Sequence, residues 1–413
     1  MKAYLVGGAV RDTLLNFPVR ERDWVVIGET PEAMLNRGFI EVGKDFPVFL
    51  HPETKEEYAL ARTERKTTHG YKGFTVHATP DVTLEDDLIR RDLTINAIAM
   101  LDDGSLIDPY NGQADLKNKV FRHISPSFCE DPVRVLRIAR FCARYQHLGF
   151  SIAPETQILM QEMVQQGEID FLVPERVWAE TKKALAEITP AAYFQALLDC
   201  GALERIFPEI NALFGVPQTA EYHPEIDTGL HTLMVLEQAC LLTEDLTVLF
   251  AALTHDLGKA LTDKENWPHH YGHETLGLSA LKKLCKRLRV PNDYQKLAHQ
   301  VMEYHTHCHR AKELKPSTLC KLLSSLNAFK NSAQLDAFLL TCEADAKGRL
   351  GFENTAYPQA DYLRAIHKAA CLVDTSDILK SDLQGKAIGE AIFNLRSAAI
   401  KKIKQQLPTT KQD

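Results

Sequence analysis

Hydrophobic and polar positions predict different structures in the two parts of the chain. In roughly the first 120 residues, short apolar runs bounded by polar turns predict strands, at 3–6, 22–27, 46–50, 56–61 and 105–107. Between the first two strands, the pattern predicts a helix over residues 9–15. Almost everything that follows has helical periodicity. The pattern therefore predicts an α+β fold, with a small mixed-sheet head followed by helices.

A double glycine separates the first predicted strand from the first predicted helix, in the stretch YLVGGAVRDTLLN at residues 4–16. Gly7 and Gly8 allow a sharp turn and bring backbone N–H groups toward a possible ligand. The N-terminus of a helix carries partial positive charge, which favours a bound phosphate. The glycines therefore indicate either a phosphate-binding turn or an ordinary tight turn between a strand and a helix.

Two acidic residues begin the second predicted strand, in RERDWVVIG at residues 20–28. Because side chains alternate along a strand, Glu21 and Asp23 are expected on the same face. Two carboxylates beside a glycine turn could hold Mg²⁺, which prefers oxygen ligands and binds substrate phosphates. Glu21 could instead pair with a neighbouring arginine. Glu57, on a strand that returns through a hairpin, is either a third carboxylate of this group or a solvated side chain.

Two arginines follow an acidic stretch in LEDDLIRRDLTINAIAM, residues 84–100, which is predicted to begin as a helix. A guanidinium is permanently charged and forks onto phosphate oxygens, so Arg91 is a candidate clamp for a triphosphate. The alternative is a surface arginine that pairs with Asp87 or Asp92 on its own helix.

A second arginine-rich helix is predicted in CEDPVRVLRIARFCARY, residues 129–145, with Asp131 as N-cap and Pro132 as its first residue. Its buried stripe is predicted to contain Val135, Ile138, Ala139 and Cys142. Another side carries four arginines: Arg134, Arg137, Arg140 and Arg144. These arginines form either a solvated face or, with Asp131, a set of donors and acceptors that recognises the edge of a base. Asp131 could also serve only as a helix cap.

Composition narrows the class of protein. The 413 residues are 45% hydrophobic and 25% charged, which is typical of a globular chain of about two to four domains. A net charge of −7 requires any nucleic-acid contact to use a local basic surface. The 9 cysteines include no CxxC pair, which argues against a disulfide framework and favours a reducing compartment. With neither an apolar run of ~20 residues nor a signal-peptide pattern, a cytoplasmic protein with no membrane partner is expected.

The second half of the chain carries a helix-borne His231, then the adjacent pair His255-Asp256, and then the distant Asp345. This ordered set resembles the pattern of HD-domain phosphohydrolases. Imidazole and carboxylate together suit a transition metal such as Ni²⁺, Co²⁺ or Mn²⁺. The expected metal ligands are His231, His255, Asp256 and Asp345. The residues expected around a phosphate are Lys259, His270, His273 and His305. Any one of these histidines taken alone could instead be structural, and only the ordered set favours a site.

Five head motifs occur together and in order: GG-x-V-R-D (7–12), E-x-D (21–23), RRDLTINA (90–97), DPYNGQADL (108–116) and EDPVRVLRIARF (130–141). As a set they resemble the bacterial tRNA nucleotidyltransferases, the CCA-adding enzymes, whose catalytic head is related to DNA polymerase β. The family usually has D-x-D where this chain has Glu21 and Asp23. The resemblance implies template-independent addition of CCA to tRNA from CTP and ATP.

The resemblance also implies roles for individual residues. Glu21 and Asp23 would be catalytic and hold Mg²⁺, while Asp131 and Arg134 would recognise the base. The residues implied to bind the nucleotide are Gly8, Arg11, Arg91, Asp131, Arg134, Arg137 and Arg140. The Gly/Thr/Lys-rich segment 63–81 has the composition of a mobile loop. CCA-adding relatives use a flexible element there when they change from C to A addition, and relatives that add only CC lack it.

Four domains are expected along the chain: a nucleotidyltransferase head at 1–140, a helical neck and RNA-binding body at 141–225, an HD phosphohydrolase domain at 226–345 and a helical tail at 346–413. The expected partners are tRNA, ATP and CTP, bound by a monomer or weak homo-oligomer. The expected hydrolase substrates are 2′,3′-cyclic phosphates and 2′- or terminal phosphates.

Two alternative functions are a bacterial poly(A) polymerase, which shares the head motifs, and an HD phosphohydrolase whose head has decayed into an RNA-binding platform. The HD residues argue against the former, and the intact head carboxylates and arginines argue against the latter.

Overall fold

The structure is a computed structural model that describes residues 1–19, 21–42, 48–66 and 74–407. Its strands are β1 (Lys2–Val6), β2 (Asp23–Ile27), β3 (Ile40–Glu41), β4 (Val48–Leu50), β5 (Glu57–Leu60), β6 (Thr63–Lys66), β7 (Phe74–His77), β8 (Ala99–Met100), β9 (Leu106–Ile107), β10 (Val120–Phe121) and β11 (Ser151–Ile152). A seven-stranded sheet has the order β3-β4-β5-β2-β1-β8-β9, and the pairs β6–β7 and β10–β11 stand apart from it. In the large sheet β2 and β5 run parallel and the other neighbours run antiparallel, which confirms a mixed sheet.

Alternation along β2 divides the core of the head between the two faces of this sheet. Val25 packs on one face with Val6 and with Leu88, which lies between β7 and β8 in the sequence. Val26 packs on the other face, in a cluster that includes Phe49. Because both faces are covered, only the ends of the strands are left to present polar side chains.

The helices are α1 (Gly8–Leu14), α2 (Pro31–Asn36), α3 (Leu84–Ile89), α4 (Gly112–Asn118), α5 (Val133–Tyr145), α6 (Pro154–Gln165), α7 (Pro174–Leu185), α8 (Ala191–Asp199), α9 (Ala202–Ile206), α10 (Pro208–Asn211), α11 (Thr228–Leu242), α12 (Leu246–Thr254), α13 (His273–Leu288), α14 (Asn292–His309), α15 (Pro316–Ser325), α16 (Ser332–Lys347), α17 (Pro358–Cys371), α18 (Ser376–Lys380) and α19 (Lys386–Gln406). Among the described residues, no helix is both long and apolar enough to cross a membrane. The chain divides into two compact units, Met1–Glu180 with Gln195–Ile206, and Thr181–Phe194 with Phe207–Asp413.

Four local predictions differ from the structure. The strand predicted over 22–27 begins at Asp23, so Glu21 precedes the strand instead of sharing its face. The helix predicted to carry Arg91 ends at Ile89, because Asp92 accepts a hydrogen bond from the N–H of Leu93 at 2.9 Å and so satisfies the backbone locally.

The third difference concerns the segment 63–81, predicted as a loop. Its flanks pair as the antiparallel strands β6 and β7, and residues 67–73 lie outside the described residues. The predicted hairpin before it is confirmed, since β4 and β5 pair antiparallel with Leu50 opposite Glu57.

The fourth difference is the start of the arginine-rich helix, which was predicted one residue too early, at Pro132. Helix α5 begins at Val133, and the Asp131 side chain accepts a hydrogen bond from the N–H of Val133 at 3.1 Å.

Candidate functional site

The predicted carboxylates of the head lie at the start of β2. Asp23 pairs in register with Glu57 on the parallel strand β5, so the two side chains emerge side by side on the same face of the sheet. Partial burial and the charge of Glu21 raise the pKa of Asp23, while the charge of Arg91 opposes the shift. Glu21, Asp23 and Glu57 are all exposed, and carboxylate oxygens are donors that Mg²⁺ prefers.

The glycine turn lies against one of the predicted arginines. Gly7 has a φ of 69°, which favours glycine, and a Cβ added there would lie 2.9 Å from Arg91 Nη1. Gly8 begins α1, next to the side chain of Arg11. Arg91 forms an ion pair with Asp87 at 3.2 Å, which is the predicted alternative. The charge of Arg91 also acts on Asp23, so its guanidinium is paired with Asp87 and still influences one of the predicted carboxylates.

Arg11 is only 4% exposed and is held entirely by groups of the protein. Its guanidinium donates to Asp12 at 2.9 Å and to Asn96 at 2.6 Å, and it stacks over the rings of Phe141 and Tyr145. These contacts join α1 to α5. Direct contact of Arg11 with a nucleotide stays a prediction, and its observed role is to fix the arginine helix to the glycine turn.

Asn96 and Asp92 extend this network to the next predicted arginine. Asn96 donates to Asp92 at 2.8 Å, and Arg137 Nε donates to the other oxygen of Asp92 at 2.7 Å. Burial alone would raise the pKa of Asp92, but the Arg137 charge and the two hydrogen bonds outweigh it and hold the pKa well below its usual range. The chain of contacts therefore orients Arg137 through an ionised carboxylate.

Helix α5 has the predicted buried apolar stripe on one side and arginines on another. Its stripe is buried, at Val135, Ile138, Ala139 and Cys142. On its other side, Arg140 Nε donates to Glu180 at 2.7 Å and Arg144 donates to Asp12 at 2.9 Å. These arginines are thus ordered by acids and do not form a solvated face.

The two residues predicted to recognise a base also have protein partners. Asp131 accepts two hydrogen bonds from Arg176, at 3.1 and 2.8 Å. Arg134 donates to the backbone oxygens of Ser127 and Arg90, at 3.1 and 2.5 Å. Arg176 and Glu180, both on α7, were missed by the sequence analysis. The sequence carried no signal for these contacts, because opposite charges four residues apart on one helix predict a pair with each other.

The structure brings the four predicted metal ligands of the second half together. His231 lies on α11, His255 is the C-cap of α12, Asp256 follows it, and Asp345 lies on α16. Nε2 of His231 is 3.2 Å from Asp345 Oδ1, and Nε2 of His255 is 3.1 Å from Asp256 Oδ2 and 3.5 Å from Asp345 Oδ1. Burial opposes a charge on His255, but Asp256 and Asp345 outweigh it and raise its pKa to about 10. The two buried carboxylates of Asp256 and Asp345 therefore favour a positive charge between them, either a proton on an imidazole or a metal ion.

The predicted accessory residues divide into two kinds. Nε2 of His273 and Nε2 of His305 face Asp256 Oδ1 at 3.4 and 3.7 Å, and Lys259 Nζ lies 2.6 Å from Asp256 Oδ2. His270 is different: its Nε2 donates to the oxygen of Pro217 at 2.8 Å and its Nδ1 bonds to Thr262. His270 therefore lines the cavity without facing the carboxylates.

The position of His273 depends on close packing between Gly258 and the start of α13. At Gly258, a Cβ would overlap the carbonyl oxygen of His273, so only glycine lets the start of α13 approach the His-Asp pair. A cavity of about 590 Å³ opens beside the cluster and is lined by residues that include Asp256, Lys259, His273, His305 and Asp345.

Four further residues of this site were missed as participants. Glu225 lies 3.0 Å from Nδ1 of both His223 and His231, which orients His231. His309 Nε2 contacts Asp345 Oδ2 at 2.7 Å, and the Tyr357 hydroxyl contacts His309 Nδ1 at 2.9 Å. His309 stands four residues after His305 on α14, so helical spacing could have identified it.

Clusters of possible metal ligands within the described residues occur only in this histidine-rich region. They are His223 with Glu225 and His231, His231 with His255 and Asp345, and Asp256 with His273 and His305. Mixed imidazole and carboxylate donors suit transition metals, whereas the head offers oxygen donors alone. The two regions thus fit different classes of divalent cation.

Three family models match the chain in order: the poly A polymerase head domain at residues 3–122, the probable RNA and SrmB-binding site of polymerase A at 149–214 and the HD domain at 228–379. Among solved structures, an apo form of a CCA-adding enzyme has a TM-score of 0.67 at 21% identity, covering 99% of this chain and 89% of that one. The Thermotoga maritima CCA-adding enzyme complexed with tRNA has a TM-score of 0.63 at 20% identity, covering 99% of this chain and 88% of that one.

Two curated relatives are far more similar in sequence. The multifunctional CCA protein of Methylococcus capsulatus is 62% identical over 405 residues, which is 98% of this chain and 95% of that protein. The protein of the same name from Thioalkalivibrio sulfidiphilus is 59% identical over 406 residues, 98% of this chain and 99% of that protein. The head of mixed-sheet type, the helical middle and the HD domain all lie within these matches. The chain belongs to the family of multifunctional CCA proteins.

Proposed function

We propose that this chain adds and repairs the 3′-terminal CCA of tRNA with CTP, ATP and Mg²⁺, and hydrolyses phosphate ends of RNA at its HD site. One observation carries the proposal for the head. Asp23 and Glu57 stand in register on parallel strands, and the charge of Arg91 acts on Asp23. This arrangement supports a divalent cation on the carboxylates, with a guanidinium available for a phosphate. The name of the relatives supports the same reaction.

In the proposed transfer reaction, the head positions charged reactants. Mg²⁺ held by Glu21 and Asp23 would activate the 3′-hydroxyl of RNA and stabilise the leaving pyrophosphate. Arg91 would neutralise phosphate charge beside them. The network from Arg11 to Arg137 fixes the second group of arginines without using bound nucleotide as a support. Phosphoryl transfer depends mainly on such positioning and charge neutralisation.

Base recognition is proposed for Asp131 and Arg134, which are one helical turn apart. Asp131 offers acceptor oxygens and Arg134 offers donors, the two kinds of group that the Watson–Crick edges of C and A require. Both side chains are engaged with the protein. Recognition of a base by this pair therefore requires them to exchange those partners for the base.

Phosphate hydrolysis is proposed at His231, His255, Asp256 and Asp345. A transition metal held there, such as Ni²⁺, Co²⁺ or Mn²⁺, would lower the pKa of a water that attacks phosphorus. Lys259 adds a positive charge beside the cavity, where it would offset the charge of the phosphate. The proposed substrates are 2′,3′-cyclic phosphates and 2′- or terminal phosphates of RNA, because these ends block addition of nucleotides.

The two alternative functions are less well supported. The matched head model is named for poly A polymerase, so the head alone fits either polymerase. The HD match and the relatives' shared name favour CCA addition. A decayed head is disfavoured because the carboxylates and arginines are present, Asp23 stands in register with Glu57, and the charge of Arg91 acts on Asp23.

The domain limits 1–140, 141–225, 226–345 and 346–413 also stay a proposal. Matches to a head, an RNA-binding segment and an HD domain in this order support the arrangement. We further propose that the chain acts in the cytoplasm, because its proposed substrates tRNA, CTP and ATP are found there. Its state as a monomer or weak homo-oligomer stays a prediction.

The test of transfer is incubation with tRNA that lacks its last three nucleotides, Mg²⁺ and one or more labelled nucleoside triphosphates. We expect two C and one A to be added, with no incorporation of U or G. Asp23→Asn should abolish the addition of both nucleotides, and the exposed Glu53→Gln should not change it. Long A tails would indicate a poly(A) polymerase, and hydrolysis without any addition would indicate a decayed head.

A further inference from the structure

An aromatic segment borders the cavity beside the His-Asp cluster. Residues 267–272, with the sequence WPHHYG, directly precede α13, and His269, His270 and Tyr271 line the cavity. His269 and Tyr271 are exposed, and Tyr271 keeps 74% of its surface accessible. A single exposed aromatic residue is ordinary on a protein surface. Its arrangement with its neighbours decides whether it has a further role.

The rings of His269 and Tyr271 stack on each other. Their centroids are 5.9 Å apart and their planes differ by 26°. The imidazole therefore covers one face of the Tyr271 ring, and the high exposure of Tyr271 leaves its other face open. Nucleobases bind to protein mainly by stacking on such open aromatic faces when they are not paired with another base.

Hydrogen bonds hold this stacked pair in place. The indole N–H of Trp267 donates to the hydroxyl of Thr262 at 3.0 Å, and Nδ1 of His270 lies 2.7 Å from the same hydroxyl. Nε2 of His270 donates to the carbonyl oxygen of Pro217 at 2.8 Å. His270 lies between the two stacked residues in the sequence, so its contacts anchor both of them. A surface that is ordered before binding loses less conformational entropy when a ligand arrives.

The size and charge of the cavity favour a ligand larger than a phosphate group. Its volume of about 590 Å³ is within the range of about 300–1,000 Å³ that is typical of sites for whole small molecules. Arg310 and Arg349 line it together with Lys259. Arginine binds phosphate oxygens well, so these three cations suit a ligand that carries more than one phosphate. An RNA end has both features, a base and successive phosphates.

We propose that His269 and Tyr271 form a stacking subsite for the terminal base of an RNA whose phosphate end is hydrolysed at the HD site. The subsite rests on the proposed phosphohydrolase function and adds the class of substrate, which is a nucleotide end and not a phosphate ester in general. Stacking uses the face of a base and leaves its Watson–Crick edge unread. The subsite should therefore accept ends with any of the four bases.

The kinetic test compares a cyclic phosphate that has a base with one that has none. The full chain with Ni²⁺ is supplied with adenosine 2′,3′-cyclic phosphate or with glycerol 1,2-cyclic phosphate. Tyr271→Ala should reduce the preference for the adenosine ester, expressed as a ratio of kcat/KM values, about 10-fold and chiefly through KM, because one base–aromatic stack is lost. Tyr271→Phe keeps the ring and should keep the preference. Leu276→Ala, at an exposed apolar residue of α13, is the control and should also keep it.

A binding measurement tests the subsite without turnover. The probe is 2-aminopurine riboside with a 3′-methylenephosphonate, whose P–C bond cannot be hydrolysed, and stacking quenches the fluorescence of its base. We expect saturable quenching by the wild type and by Tyr271→Phe, with about 10-fold weaker binding to Tyr271→Ala. Nucleotide bound at the head contributes equally in all three proteins, so the difference between them reports on the HD cavity.

The outcomes separate the subsite from the reaction. An unchanged preference and unchanged quenching in Tyr271→Ala would overturn the subsite, and hydrolysis of both esters would leave the proposed function standing. Equal loss of activity toward both esters in Tyr271→Ala would also overturn it, since that residue would then only support the fold. Quenching that depends on Tyr271 without hydrolysis of either ester would support the subsite and refute the proposed function.

Discussion

Replacement of the buried Asp92 by asparagine is expected to lower the free energy of unfolding of the head. Asp92 is 6% exposed and accepts hydrogen bonds from Arg137, Asn96 and the N–H of Leu93, at 2.7, 2.8 and 2.9 Å. Asparagine keeps one oxygen for Asn96 and Leu93, but it directs an NH₂ group at Arg137. One charge-assisted hydrogen bond is lost, and two donors are left facing each other.

The magnitude follows from the exposure of the two partners. A hydrogen bond to a charged group contributes about 1.5–3 kcal/mol to stability. The side chain of Arg137 is 39% exposed, so water replaces part of the lost interaction. We therefore expect a loss of about 2 kcal/mol in the free energy of unfolding of the head. That loss corresponds to roughly 30-fold faster opening, at about 1.4 kcal/mol for each factor of ten.

Amide hydrogen exchange of α5, Val133–Tyr145, measures this effect within the head itself. Exchange of these amides should accelerate about 30-fold in Asp92→Asn. It should not change in Asp102→Asn, which removes a carboxylate from an exposed turn. Unchanged exchange of α5 in the Asp92 variant would refute the argument that this carboxylate holds Arg137 in place.

The same variant makes a prediction about pH. The pKa of Asp92 in the folded chain is far below its usual value, so the stability it contributes is present above the unfolded pKa of about 3.9 and is lost as the pH falls toward the folded pKa. The difference in melting temperature between the wild type and Asp92→Asn should therefore be constant from about pH 5 to 8 and shrink below about pH 4. A difference that grows in acid would contradict the sign of this shift.

Three further predictions concern the two reactions. Exchange of Asp131 and Arg134 should degrade selection of C and A over U and G more than it slows transfer; a purely capping role predicts lower stability with unchanged selection, and incorporation ratios with melting temperature distinguish the two. Deletion of residues 66–72, nearly all outside the described residues, should leave tRNA ending in CC, and a terminal A from that variant would refute the role of the segment. Hydrolysis should be faster with Ni²⁺ or Co²⁺ than with Mg²⁺, because the ligands include imidazoles, and a phosphatase assay with each metal in turn would expose the opposite order.

The features that the sequence predicted correctly are those that depend on a local pattern of residue types. Alternation located β1, β2 and β5, and the order of the histidines and acids identified four residues that come together from α11, α12 and α16. It also placed Glu57 on the strand that pairs with Asp23. These features follow from spacing along one element or from a fixed order of residue types.

Features that depend on pairing between distant elements were not predicted. The local sequence around Asp131 does not predict its pairing with Arg176, and that around Arg140 does not predict its pairing with Glu180. Both pairs form only when the α5 region and α7 pack together. The end of α3 was misplaced because Asp92 is committed to a buried network, which local helix propensity cannot anticipate.

The central claim is that one chain repairs the end of a tRNA and then extends it. The direct measurement uses tRNA that lacks CCA and ends in a 2′,3′-cyclic phosphate, supplied with CTP, ATP, Mg²⁺ and Ni²⁺. We predict that the wild type converts this tRNA to the CCA-ended form. His255→Ala should extend only tRNA with a free 3′-hydroxyl, and Asp23→Asn should open the cyclic phosphate without adding nucleotides. Extension of the blocked tRNA by His255→Ala, or loss of both activities in either variant, would contradict the claim.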